Sequence, residues 1–319
     1  ISFLIINKDS IGVQSGSRLK NVMVNILGKA NRLSHLFNKN SREGSKKNIA
    51  FHYDLSNVFY SLMLDPSMTY SCALWSREGA SLEKAQMAKY QQLCEDLDLK
   101  EGEHILEVGC GWGGFAEYAA KNYKVKVTGL TISNEQLRYA TERIEKAGLS
   151  HLVDLKFCDY RDVEGSFDKA VSIEMIEAVG DEQMDIYFKS ILSRLKPGGR
   201  FVVQAITSPD ARYKEFKKGV DFIQKHIFPG SLLPSLERMN TAARKNGEYQ
   251  LFKLHDMGLD YARTLQVWHN RFNESLAEVK ALGFNETFIR KWNYYLKYCE
   301  AAFATRNISV VQATYRTPN

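Results

Sequence analysis

His104-Ile105-Leu106-Glu107-Val108-Gly109-Cys110-Gly111-Trp112-Gly113-Gly114-Phe115 is the stretch from which the fold is read. Ile105, Leu106 and Val108 make a short apolar strand interrupted by Glu107. Four glycines follow within six residues, and a helical pattern starts at Phe115. A strand, a glycine turn and a helix in succession let the backbone come close to a ligand and aim helix N–H groups at it. The string fits the G-x-G-x-x-G dinucleotide signature only loosely. A nicotinamide or flavin site wants an acid about 20 residues on, for the ribose hydroxyls. Here Lys126-Val127-Thr128-Gly129-Leu130-Thr131 ends in a hydroxyl, and no acid lies between Glu117 and Glu135. No Gly-Lys-Ser/Thr follows the turn, which excludes a P-loop. The pattern favours S-adenosylmethionine, which needs no pyrophosphate cradle.

Working outward, strands are expected near 104–109, 125–131, 153–158, 168–174 and 200–206, with helices at 114–121, 134–147 and 181–195. That alternation predicts a parallel sheet covered on both faces. Lys196-Pro197-Gly198-Gly199 is expected to stop the last helix and turn the chain into the fifth strand. A mixed segment at 208–246, rich in Lys, Phe and Tyr, breaks the rhythm and is expected to roof the ligand crevice. Strands near 249–256 and 308–315 flank a helical block at 261–305, and helices are expected near 55–62 and 81–97. In an open α/β sheet the ligand sits at the carboxyl ends of the strands, where the strand order reverses.

The 319 residues carry a formal charge of +6. Residues 1–50 alone carry +7 and the remainder −1, counted from the sequence. In this arm Leu19, Val22, Ile26, Ala30, Leu33 and Phe37 recur at helical spacing among lysines and arginines. Such a basic amphipathic helix suits an anionic surface, or docks on the main domain with its charges in water. Two units are expected: the arm, 1–50, and a catalytic domain, 51–319. A chain starting at Ile1 is expected to have lost N-terminal residues, and no signal peptide is expected. Five scattered cysteines without a C-x-x-C pair read as reduced and cytoplasmic. Seven histidines without metal spacing predict no metal site. The near-neutral charge beyond the arm argues against a nucleic-acid partner.

Several collinear strings resemble the cyclopropane-fatty-acyl-phospholipid synthase and mycolic acid cyclopropane synthase family. They are His52–Asn57, Tyr70-Ser71-Cys72-Ala73, the Glu107–Gly114 turn, Gly129–Ser133 with Gln136, Glu174–Gly180, Ile227–Ser235 and Tyr294–Phe303. The resemblance implies a seven-stranded Rossmann-like class I methyltransferase sheet with a helical lid insertion after the fifth strand. It implies methyl transfer from S-adenosylmethionine to a cis double bond of an acyl chain in phospholipid. Attack by an alkene leaves a carbocation, which aromatic faces stabilise through their quadrupole; Tyr213, Phe216, Phe222 and Phe228 are available in the 208–246 segment. A methyl proton must then leave for the ring to close, and the resemblance implies a bound bicarbonate as base.

Carried over by resemblance, the cage around that bicarbonate is Cys72, Glu177, the backbone at Ile206, Tyr261, and Gln204 where many relatives have a histidine. Cys299 matches a cysteine sometimes proposed as catalytic, although no step needs a thiolate. Glu174 is read as a structural partner of Glu177. For the cofactor, Tyr70 and Ser71 are expected over the methionine tail, with Glu107, Gly109, Gly111 and Gly113 beneath it. Thr131 and Gln136 are expected at the ribose, and Asp159, Tyr160 and Arg161 at the adenine edge. The partners so implied are unsaturated phospholipid acyl chains at a membrane surface, with peripheral contact; a homodimer is an allowed assembly. Two rival readings are a methylene- or methyl-branched product and a small-molecule N-methyltransferase.

Overall fold

The computed structural model describes residues 55–75, 79–219 and 221–317. The basic arm, its amphipathic helix and the string His52–Asp54 lie outside the described residues. Seven strands form one sheet: β1 (His104–Val108), β2 (Lys126–Thr131), β3 (Val153–Phe157), β4 (Phe167–Ile173), β5 (Leu195–Thr207), β6 (Gln250–Asp256) and β7 (Ser309–Arg316). Their order is β3-β2-β1-β4-β5-β7-β6. The first five run parallel, and β7 enters antiparallel between β5 and β6. The strand order reverses between β1 and β4, so the crevice opens where both of these strands end.

Helices cover both faces: α1 (Asn57–Ser61), α2 (Leu82–Leu97), α3 (Gly114–Tyr123), α4 (Asn134–Lys146) and α5 (Met184–Leu192). Then come α6 (Tyr213–Lys218), α7 (Phe222–His226), α8 (Leu236–Arg244), α9 (Gly258–Glu274), α10 (Leu276–Ala281) and α11 (Glu286–Ala304). Local chemistry fixes several starts. Ser81, Ser133 and Asn285 each accept a hydrogen bond from a first-turn N–H of α2, α4 and α11. On α2, Leu82, Ala85, Gln86, Lys89, Tyr90, Leu93 and Leu97 fall on one buried face, at the 3.6-residue period.

Three expectations are corrected. Lys196–Gly199 does not stop the helix and start the fifth strand: α5 ends at Leu192, and β5 already pairs at Leu195 with Phe167 and resumes at Arg200 with Lys169. The Pro-Gly-Gly stretch is therefore looped out of the ladder as an irregularity inside one strand. The helix expected at 181–195 is a short 3₁₀ turn, Asp181–Gln183, continued by α5. Finally, the segment 208–246 is not all roof. Met239, Ala242 and Ala243 of α8 are buried in the same core as Tyr187, Phe188 and Ile191 of α5. Thus α8 is a layer of the main domain, and α6 and α7 with the following loop line the crevice.

A second core, built of Phe59, Tyr60, Trp112, Trp268, Phe272 and Trp292 among others, packs α1, α9 and α11 together. It sets the aromatic helices beside the ends of β1 and β4.

Candidate active site

A cavity of about 820 Å³ opens at the switch point between β1 and β4. At one end is the glycine turn. Gly109, Gly111 and Gly113 have φ of +85°, +52° and +81°, a region that side chains rarely adopt. A Cβ on Gly109 would come within 2.9 Å of Met175, whereas one on Gly111 would meet no atom within 4 Å. Gly111 therefore faces open cavity. Glu107, at the end of β1, is 2% exposed, and its Oε2 is buried with no hydrogen-bond partner among the described residues. Burial raises its carboxyl to about 8, against the pull of Lys89. An acceptor left unsatisfied beside a glycine turn is what a ligand bearing a cationic amino group would complete.

The other expected cofactor residues line the same cavity end. Thr131 donates to Gln136 Oε1 at 3.1 Å. The Tyr70 hydroxyl meets that of Tyr295 at 2.8 Å. Ser71 Oγ accepts from Lys89 Nζ at 2.7 Å. Asp159 departs from expectation, because Arg161 grips its carboxylate with two bonds of 2.8 and 2.6 Å. The pair is nearly buried, so Asp159 reaches the cavity as half of an ion pair rather than as a free carboxylate.

Midway along the cavity the expected cage residues meet, but around a centre that the sequence reading had made structural. Glu174 Oε1 accepts the Cys72 backbone N–H at 2.8 Å and the Gln204 side-chain amide at 2.7 Å. Glu174 Oε2 accepts the Tyr261 hydroxyl at 2.7 Å. The Gln204 amide is itself oriented, since Gln312 Nε2 donates to Gln204 Oε1 at 2.9 Å. Sheet register makes this chain possible: Ile173, Gln204 and Gln312 are cross-strand neighbours on β4, β5 and β7. Glu174 follows β4 with φ +50°, a strained conformation for a residue with a Cβ.

Glu177 stands apart from those donors. Its Oε1 accepts the Ile206 N–H at 2.5 Å, and its Oε2 is buried without a partner. Burial first and the neighbouring Glu174 second raise its carboxyl to about 8. Burial also raises the Glu174 carboxyl, although its three donors and Lys89 oppose this. Cys72 contributes its backbone, not its thiol, which burial drives far above the usual thiol range. Cys299 lines the cavity, and burial keeps its thiol protonated.

Lys89 was missed by the sequence reading. It is fully buried, next to Ser71, and burial lowers its ammonium to about 8 while Glu174 and other acids raise it. The signal was present, because a lysine on the apolar face of an amphipathic helix has no solvent to reach.

The aromatic wall also differs from expectation. Phe216 and Phe228 line the cavity, but Tyr213 turns away to donate to Asp181 at 2.6 Å, and Phe222 packs edge-on against Tyr294. The wall is completed from α9 and α11 by Tyr261, Tyr294, Tyr295, Tyr298 and Phe303.

With this geometry in hand, comparisons with known proteins are informative. The family described as mycolic acid cyclopropane synthetase matches residues 40–313. The tuberculostearic acid methyltransferase UfaA1 of Mycobacterium tuberculosis is 38% identical over 281 residues, covering 86% of this chain and 66% of that protein. The cyclopropane-fatty-acyl-phospholipid synthase of Escherichia coli is 40% identical, covering 88% of this chain and 71% of its own length. The chain thus spans about two thirds of these curated relatives. Among solved structures, the mycolic acid cyclopropane synthase CmaA1 complexed with SAH and CTAB superposes with a TM-score of 0.79 at 30% identity. It covers 85% of this chain and 98% of that one. The cyclopropane synthase MmaA2 from Mycobacterium tuberculosis gives 0.80 at 29% identity, with the same coverages.

Proposed function

This chain belongs to the mycolic acid cyclopropane synthetase family, and on that premise we propose that it methylates the cis double bond of an unsaturated acyl chain in phospholipid. The product is a cyclopropane acyl chain. The observation that carries the reading is one continuous cavity, with a glycine turn and an orphaned carboxylate at one end and an aromatic wall at the other. S-adenosylmethionine, when bound, supplies an electrophilic methyl on a sulfonium, strong enough for a weak alkene nucleophile. The residues present fit it: Glu107 Oε2 lacks a donor, Gly111 leaves room for close backbone approach, and Thr131, Gln136 and the Asp159–Arg161 pair border the same space.

The chain's residues would then do three things. Glu107, Ser71 and Tyr70 hold the donor's amino acid end. The rings of Tyr261, Phe228 and Phe303 present π faces to a carbocation formed on the acyl chain and keep water from it. A carboxylate at the end of β4 stands between the two ends. Among the described residues no helix is long and apolar enough to cross a membrane. In this reading the bilayer is met peripherally, with the basic charges of residues 1–50 supplying attraction to anionic headgroups.

The test is incubation with S-adenosylmethionine and vesicles of unsaturated phospholipid, followed by mass and olefinic-proton analysis of the acyl chains. A gain of one CH₂ unit with loss of olefinic protons is expected. A methylated chain that keeps a double bond would establish the branched product instead, and methylation of small amines alone would overturn the lipid reading.

A further inference from the structure

The bicarbonate implied by the resemblance does not fit the donors found here. An anion needs hydrogen-bond donors, and those assigned to it at Cys72, Gln204 and Tyr261 already converge on Glu174. Gln204 cannot turn its amide elsewhere without losing both Glu174 and the donor from Gln312. Any further anion would also have to sit against the buried Glu174 carboxylate that those donors already hold. Like charges so placed repel strongly where water is excluded.

We propose that the Glu174 carboxylate is itself the base of the reaction, a permanent occupant of the place where a free anion would bind. This inference rests on the acyl-chain methylation proposed above. Four observations support it. Glu174 lines the cavity between the glycine turn and the aromatic wall. Its backbone is held at φ +50°, a conformation that costs energy for a residue with a Cβ. Its Oε1 takes two donors and its Oε2 only one, so Oε2 keeps a lone pair for a proton. Burial moves its carboxyl upward, toward the range where a carboxylate removes a proton effectively near neutral pH.

After methyl transfer the acyl chain bears a CH₃ group next to a cationic carbon. Glu174 Oε2 takes one methyl proton. The C–H electron pair becomes the new C–C bond to the cationic carbon, and the three-membered ring closes. The chain is neutral again, and the proton rests on the Glu174 carboxyl until product release returns it to solvent.

The experiment compares the full chain with Glu174→Gln and Glu174→Gly in buffers purged of carbon dioxide and in buffers with added bicarbonate. Wild-type turnover should be the same in both. Glu174→Gln should lose about 100-fold or more in kcat, with unchanged affinity for S-adenosylmethionine and an unchanged melting profile as the controls on folding. Glu174→Gly frees the three donors, so its turnover should be low in purged buffer and restored by bicarbonate. A second readout needs no turnover: ¹³C-bicarbonate NMR should show no binding to the wild type and binding to Glu174→Gly. Bicarbonate binding by the wild type, bicarbonate-dependent wild-type turnover, or a fully active Glu174→Gln would each overturn the proposal. If no form methylates an acyl chain, the lipid reading fails on its own. The NMR comparison still decides what occupies the cradle.

Discussion

At the β1 end of the cavity Glu107 keeps a buried oxygen without a partner, while at the β4 end Glu174 takes three donors within 2.8 Å. Both carboxylates are buried, and both are pushed upward by desolvation. The difference lies in who completes them. Glu174 is satisfied by the chain itself, through side chains locked by sheet register, and so is organised before any ligand arrives. Glu107 Oε2 finds no donor among the described residues. A buried acceptor without a donor calls for a partner, and one already held by the chain does not.

The contrast can be broken most forcefully at the turn. Gly111→Val puts a side chain into the space beside Glu107, where the protein has no atom within 4 Å. Affinity for S-adenosylmethionine should fall by about 100-fold or more, about 2.8 kcal/mol, by calorimetry. The φ of +52° adds strain, so melting should drop modestly. Unchanged affinity would show that the ligand approaches elsewhere.

Tyr261→Phe removes one donor from the satisfied carboxylate and nothing from the turn. The hydroxyl favours ionised Glu174, so its loss raises that carboxyl. A base is lost as pH falls through its pKa, so the acidic limb of the kcat profile should move to higher pH. Turnover at neutral pH should fall roughly tenfold, with cofactor affinity intact. An unshifted limb would detach Tyr261 from the reacting carboxylate.

Glu107→Gln sharpens the comparison through stability. In the native state Glu107 holds its proton up to about 8, against an ordinary value of 4.5. Between these values the native state binds more protons than the unfolded chain. The corresponding stability is present at low pH and is lost as pH rises through the window. Without cofactor, the variant should lose less melting temperature than wild type between pH 5 and 8, by a few degrees. Parallel melting curves would mean that Glu107 is not held neutral.

The smallest effect is expected at Gln312→Leu, which leaves Gln204 Oε1 without its donor and its amide free to turn. A several-fold fall in kcat with unchanged cofactor affinity should follow. A larger loss than that of Tyr261→Phe would make amide orientation the dominant constraint on Glu174.

How much of this was legible in the sequence differs between the same two ends. Glu107, the glycines at 109 and 111, Thr131 and Gln136 lie on contiguous strings whose backbone needs are local, and the structure sets them along one cavity. The cage residues were named, but three of their donors meet on Glu174 rather than on Glu177. Glu177 was given the chemistry and Glu174 the structural role, while the structure gives three of the expected donors to Glu174 and only the Ile206 N–H to Glu177. Lys89 was overlooked, and the tyrosines of the Tyr294–Phe303 string were quoted without a role, because helical spacing alone cannot separate a core face from a cavity wall.

The sequence by itself determined the alternation of strands and helices, the strand–glycine–helix unit and the kind of ligand that such a turn admits. These follow from periodicity and from φ angles open only to glycine, which are properties of neighbouring residues. Only the tertiary structure decided which carboxylate is held by which donors. Cys72 lies 102 residues from Glu174 and Gln312 lies 108 from Gln204. Whether a hydrogen bond forms across such a distance in sequence depends on strand order and register, because a buried amide or carboxylate takes the partner that packing brings within 3 Å.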